Sequence, residues 1–163
     1  MIEIAPKDVP RDLRIAIVAS RFNAFIVEQL LVGARDALER SGIATDRQVL
    51  VWVSGAFELP LAADRLAASG QYDAVVALGT VVRGGTPHFD FVAGECARGL
   101  TRVALDRGIP VTFGVLTTDT VEEALERAGT GEGNKGFDAA TTAIESAATL
   151  RALDAHLSRT AEE

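Results

Sequence analysis

The run Tyr72-Asp73-Ala74-Val75-Val76-Ala77-Leu78-Gly79-Thr80-Val81-Val82-Arg83-Gly84-Gly85-Thr86-Pro87-His88-Phe89-Asp90 decides how this chain folds. Its first part, Tyr72 to Leu78, is short, continuous and apolar, the pattern of a strand buried on both faces, and the strand is read to stop at Gly79. A loop rich in chemistry follows. Gly84 and Gly85 let the backbone enter φ > 0 and let amides approach an anion, while Thr86 adds a hydroxyl and Arg83 a cation, so the loop is a candidate phosphate cradle. His88 is one of only two histidines in the chain, and imidazole has the side-chain pKa nearest neutrality. A proton shuttle beside an anion site is one reading. A turn whose histidine only caps the next helix is the other, and the loop alone does not separate them.

Outward from this stretch, strands alternate with helices. Arg14 to Ala19 reads as the first strand and Ser20-Arg21-Phe22-Asn23 as the loop leaving it. Ile26, Val27, Leu30, Leu31, Ala34, Ala37 and Leu38 then recur at helical spacing until Ser41-Gly42. Gln48 to Val53 is the second strand, followed by Ser54-Gly55-Ala56-Phe57-Glu58. Pro60 suits the first turn of a second helix, and Gly70 stops it. After the central stretch, a helix spans about Phe89 to Asp106, with Val92, Cys96, Leu100 and Val103 on one face. Gly94 and Gly99 inside it cost roughly 1 kcal/mol each relative to alanine, so a close helix contact is expected there, a subunit interface being one candidate. Ile109 to Leu116 is the fourth strand. Thr120-Val121-Glu122-Glu123 reads as a capping box opening a short helix. A last helix runs from about Phe137 to Leu157, with Ala143, Ala147, Leu150, Leu153 and Leu157 inward. His156, near its carboxyl end, suits the helix dipole and is given no functional role.

This β-α-β-α-β-α-β-α-α order implies a doubly wound α/β sandwich: a parallel sheet covered by helices on both faces. Ligands of such sheets bind beyond the carboxyl ends of the strands. Four groups of residues fall there: Phe22, Gly55 to Glu58, Thr80 to His88, and the region from Phe113 to Asp119.

Bulk properties narrow the class. A chain of 163 residues, 48% of them hydrophobic, supports one domain with a real core. Residues 1–12, with Pro6 and Pro10, read as an arm whose Ile2 and Ile4 could add an edge strand to a neighbouring subunit; residues 13–157 form the domain and 158–163 a polar tail. The formal charge of −7 and the pI near 4.9 argue against nucleic acid or an anionic membrane as partner. A mean hydropathy of +0.19 with only 6% aromatics points to small aliphatic residues buried between subunits. The single cysteine, Cys96, fits a reducing compartment. No signal-like or membrane-spanning stretch is present, so a cytoplasmic location is expected.

Generic motifs fail instructively. The segment Gly129-Thr130-Gly131-Glu132-Gly133-Asn134-Lys135-Gly136 has Asn134 where a P-loop needs glycine and Gly136 where it needs a hydroxyl, and it follows a helix. No G-x-G-x-x-G follows the first strand, Ser20-Arg21 lacks a receiver domain's acidic cluster, and the histidines and cysteine have no metal-ligand spacing. No metal or cofactor is expected. Phe22 is either core or a stacking surface for a flat heteroaromatic ligand. Glu58 is either a favourable acid at a helix start or an acceptor for ligand hydroxyls. Arg127 could simply pair with Glu123 one turn back. Lys135, one of two lysines against fourteen arginines, sits in a glycine-flanked loop where no helix face needs a charge.

The strings Ser20-Arg21-Phe22-Asn23, Gly55-Ala56-Phe57-Glu58-Leu59-Pro60, Leu78-Gly79-Thr80-Val81-Val82-Arg83-Gly84, Thr86-Pro87-His88-Phe89-Asp90, Gly114-Val115-Leu116-Thr117-Thr118 and Glu126-Arg127-Ala128-Gly129 together resemble the 6,7-dimethyl-8-ribityllumazine synthases. The match runs in order from about residue 12 to 152. The fold class is thus a flavodoxin-like three-layer α/β/α sandwich with a four-stranded parallel sheet. The resemblance implies the penultimate step of riboflavin synthesis: condensation of 5-amino-6-(D-ribitylamino)uracil with L-3,4-dihydroxy-2-butanone 4-phosphate. It implies that Phe22 stacks on the pyrimidine and that Ala56, Phe57 and Glu58 hold the ribityl chain. Thr80, Val81, Val82 and Phe113 would surround the ring, Gly85, Thr86 and Arg127 bind phosphate, and His88 transfer protons, with Asn23 and Lys135 as additional candidates. Phe113, Arg127 and Lys135 would come from the next subunit of a ring of five. The compact loop before Lys135 resembles that of members whose twelve rings close a sixty-subunit shell, so the resemblance implies that assembly, with riboflavin synthase a candidate partner. Gly131 stands where relatives often carry lysine, which leaves the phosphate end less positive. The alternatives are a paralogue that stores flavin-like compounds without making them, and a purely structural shell protein.

Overall fold

The computed structural model describes residues 1–6, 8–129 and 133–160. Four apolar runs become four strands: β1 (Ile15–Ser20), β2 (Gln48–Val53), β3 (Ala74–Val82) and β4 (Val111–Thr118). Five helices connect or follow them: α1 (Ala24–Arg40), α2 (Leu59–Ala68), α3 (His88–Arg107), α4 (Val121–Arg127) and α5 (Lys135–Thr160). The strands pair in the order β2-β1-β3-β4, and every pairing is parallel.

Strand alternation sorts the core into two layers. Ile15, Ile17 and Ala19 of β1, with Ala74, Val76 and Leu78 of β3, pack with α1 and α5. The intervening Ala16, Val18, Val75 and Ala77 pack with α2 and α3. Both faces of the central strands are thereby dry, which is why their sequences read as continuous apolar runs.

The element ends depart from the sequence reading. β3 passes through Gly79 and continues to Val82, because β4 keeps pairing with it as far as Val82 opposite Thr118. Gly79 is a packing glycine within the strand: a Cβ there would lie 3.0 Å from Ser20 Oγ and 3.1 Å from Leu59 Cδ1. Thr80, Val81 and Val82 are therefore strand residues, as their β-branching favours. The close contact expected in α3 is real at Gly99, where a Cβ would come within 2.7 Å of Pro60. It is a contact with α2 of the same chain, not with another subunit. Gly94 meets only the flexible end of Arg98, and no packing within the chain explains it. At α4, Thr120 Oγ1 accepts from the Glu123 N–H at 3.1 Å, but the Glu123 carboxylate accepts from Asp119 N–H instead of closing the box on Thr120. α5 runs to Thr160, through the first residues assigned to the tail. Ala143 and Ala147 are buried as expected, whereas Leu150 and Leu157 are exposed.

Candidate functional site

Where β1, β2 and β3 end, three loops enclose a cavity of about 600 Å³. Its walls come from Phe22, from Gly55 to Glu58, from Thr80 to Val82 with Gly84 and Thr86, and from His88, Phe89, Phe91 and Val92 at the start of α3. Three of the four strand-end groups read from the sequence meet here.

Each wall has a local cause. The Arg21 N–H donates to Val53 O at 2.8 Å and the Phe22 N–H to Ser54 O at 3.0 Å, carrying the β1–β2 ladder past the sheet edge. Asn23 then takes φ 57, the one positive-φ position outside glycine among the described residues, and turns the chain into α1. Asparagine tolerates that conformation better than most residues. The turn leaves Phe22 69% exposed, so its ring is a cavity wall and not core. Asn23 itself is not part of the lining. Below it, Glu58 Oε2 accepts from the Gly55 N–H at 2.9 Å, which fixes the carboxylate by one oxygen and leaves the other open to a hydroxyl. The Thr80 hydroxyl is buried and has no hydrogen-bond partner among the described residues. An unpaired buried hydroxyl is costly, and this one belongs to a residue of the cavity wall.

The loop after β3 differs from expectation in two respects. Neither Gly84 nor Gly85 adopts positive φ. A Cβ at either position would meet nothing within 4 Å, so none of the described residues demands glycine there. Arg83 does not face the loop's interior as a free cation. Its Nε donates to Asp119 Oδ1 at 2.8 Å and its Nη1 to Asp90 Oδ1 at 3.3 Å, and its guanidinium carbon sits 4.2 Å from the centre of the Phe89 ring. His88 is the first residue of α3 and is exposed. Among the described residues its ring makes no hydrogen bond to the helix start, so the capping alternative fails.

The remaining sequence-derived residues lie elsewhere. Phe113 and Lys135 line a separate groove of about 1110 Å³ between β4, the end of α3 and the outer face of α5. Arg127, exposed at the end of α4, donates from Nη1 to Glu123 O at 2.9 Å, which is the backbone of its partner one turn back and not the carboxylate. Lys135 begins α5 and pairs with Asp138 at 2.8 Å; the helix face does use its charge. Gly131 lies outside the described residues.

Asn134, met in the sequence only as a mismatch to a P-loop, organises this region. Asn134 Oδ1 accepts from the N–H groups of Gly136 and Phe137, while Nδ2 donates to Gln29 O and Ala128 O. Four bonds tie α4, α5 and α1 together and set both Arg127 and Lys135 in place. An asparagine just before a helix is a cap signal, but it is hidden when the helix is taken to start at Phe137.

Among the described residues no group of three or more His, Cys, Asp or Glu side chains could hold a metal ion. No helix among the described residues is long and apolar enough to cross a membrane. The cavity therefore offers aromatic walls, a half-free carboxylate, an open glycine loop and an exposed imidazole. A family model described as 6,7-dimethyl-8-ribityllumazine synthase matches residues 12–151.

Proposed function

We propose a reaction and a site from one premise: this chain belongs to the 6,7-dimethyl-8-ribityllumazine synthase family. It is a lumazine synthase, a transferase of riboflavin biosynthesis that acts on small molecules. The proposed reaction joins 5-amino-6-(D-ribitylamino)uracil to L-3,4-dihydroxy-2-butanone 4-phosphate, releasing phosphate and two waters.

The single observation that carries the site is the convergence of Phe22, Ala56, Phe57, Glu58, Thr80, Val81, Val82, Thr86 and His88 on one cavity. In this reading the pyrimidine stacks on Phe22, against the β3 end. The ribityl hydroxyls meet Glu58 and the turn of Ala56 and Phe57. The phosphate lies over Gly85, whose missing side chain leaves room for an anion against the backbone, and beside the hydroxyl of Thr86. His88 stands between these two ends. An amine attacks a ketone, the imine loses phosphate, and a second amine closes the ring. Each step moves a proton, and a neutral imidazole can take one and return it near pH 7. The rest of the acceleration comes from holding two substrates in register.

Phe113, Arg127 and Lys135 do not line this cavity in their own chain. The reading therefore assigns them to the cavity of an adjacent subunit, where Phe113 covers the ring and Arg127 completes the phosphate clamp. The exposed Phe22, Phe57, Phe91, Leu105 and Phe113 support burial between subunits. A ring of five is proposed, with twelve rings forming a closed shell. The arm of residues 1–12 is proposed to extend a neighbour's sheet, the domain to span 13–157, and the location to be cytoplasmic, with riboflavin synthase as a partner.

The test is direct. The purified protein is mixed with both substrates and the fluorescence of the lumazine is followed. His88→Ala should slow turnover by about 10²-fold with the fold intact. Arg127→Ala should instead raise KM for the phosphate substrate by about tenfold, the loss of one charge-assisted contact. A storage paralogue would show neither effect and no lumazine.

A further inference from the structure

We infer that Arg83 is a positioning residue for His88, a role resting on the proton transfer proposed for that histidine. The loop from Gly84 to Pro87 leaves the sheet directly after Arg83, whose N–H makes the last ladder bond to Thr118 O at 2.8 Å. Both glycines in the loop stand in open space, so packing does not hold its course. Its far end is the first turn of α3, with His88 at the first position. What joins the two ends is the Arg83 side chain.

That side chain grips both sides of the histidine's turn. It stacks on Phe89, the residue after His88, and it donates to Asp90, two residues on. Its third contact, to Asp119, anchors the clamp on the segment between β4 and α4. Asp119 is held in turn through its own N–H by Glu123 of α4. Planar, multidentate guanidinium is suited to gripping two carboxylates and a ring at once, which an ammonium cannot do. The two carboxylates also disqualify Arg83 as the phosphate ligand, because their charge cancels its own beside a dianion. The clamp lies at the surface, with about half of the Arg83 side chain exposed. Surface ion pairs contribute little to folding, so its removal should leave the fold standing while the first turn of α3 loses its register. A small displacement of a catalytic group is enough to slow a reaction strongly.

The experiment uses the full chain and both substrates, with Arg83→Gln, Arg83→Lys, Asp90→Asn, His88→Ala and the Arg83→Gln/His88→Ala double variant, each checked by thermal unfolding. Arg83→Gln should lower kcat about tenfold, leaving KM for the ribitylaminouracil within about twofold of the wild type. Arg83→Lys should recover only part of the loss. In the His88→Ala background, Arg83→Gln should change the rate by no more than about twofold, because a residue acting through His88 has nothing left to act on. Losses that multiply in the double variant would overturn the inference. If Arg83→Gln proves unstable at the assay temperature, Asp90→Asn decides: the same fall in kcat supports the clamp and an unchanged kcat overturns it. A His88→Ala variant as fast as the wild type removes the proton-transfer reading and this inference with it. A slow His88→Ala beside a normal Arg83→Gln removes this inference alone.

Discussion

In the loop above the cavity, Gly84 and Gly85 stand in open space; in the knot between α1 and α5, Gly33 and Gly136 have none. A Cβ at Gly33 would collide with the side chain of Asn134, and one at Gly136 with the carbonyl of Leu30. One residue type thus serves two purposes. In the knot, glycine is demanded by the chain's own packing and lets two helices and a cap close on each other. Over the cavity none of the described residues demands it, and the space a Cβ would fill is open. The knot carries Arg127 and Lys135 on a closely packed base, and the loop above the cavity leads to His88 with Arg83 joining its two ends. The difference separates glycines that packing demands from glycines that packing leaves free.

The same substitution placed in each region tests that separation. Gly136→Ala should destabilise the chain by about 3 kcal/mol or more, since overpacking here meets backbone that cannot yield. Urea unfolding would show the loss. Gly85→Ala should leave stability unchanged or raise it by about 0.5 kcal/mol, because alanine restricts the unfolded chain and φ there is not in the left-handed region. Its cost should fall on the phosphate substrate, as a rise in KM. Equal destabilisation by the two alanines would erase the distinction.

A smaller effect is expected beneath the cavity. Cys96 is fully buried on α3, and burial pushes its thiol from 9.0 up to about 11. Between those values the folded chain keeps a proton that the unfolded chain has lost, so stability should fall as pH rises through that window. At pH 8 a thiol-specific chromogenic reagent should label Cys96 only as fast as the chain unfolds. Rapid stoichiometric labelling would mean that the layer under the cavity opens on its own.

Much of the fold was legible because the apolar runs are unambiguous. β1 to β4 and their helices follow from Ile15–Ala19, Gln48–Val53, Tyr72–Leu78 and Ile109–Leu116 alternating with periodic helical segments. The errors lie at ends, where neighbours decide. Gly79 looks like a stop in sequence, yet Ser20, Leu59 and the continuing β4 ladder make it a packing position in a longer strand. Arg83 looks like a phosphate ligand until Asp119, thirty-six positions away, is seen beside it. The Asn134 knot depends on Gln29, 105 positions distant, and no local pattern announces it. Leu150 and Leu157 keep helical spacing with the buried alanines of α5 but remain exposed, since periodicity marks an apolar face without saying which molecule covers it. At the cavity, residue type and position at strand ends marked Phe22, Glu58 and His88 as candidates with structural alternatives left open, and only the resemblance assigned a role to Thr80. Phe113 and Lys135 lie in a separate groove of the same chain, and spacing in the sequence does not show which cavity they serve.

The most direct test mixes two damaged proteins. His88→Ala and Arg127→Ala are each purified, unfolded, combined in equal amounts and refolded, and lumazine formation, with the phosphate substrate held well below its wild-type KM, is compared with the two proteins refolded separately. If His88 of one subunit works with Arg127 of its neighbour, random assembly restores about a quarter of the sites, and activity rises well above either parent. Activity equal to the mean of the two parents would place both residues in the same subunit's site and contradict the shared cavity.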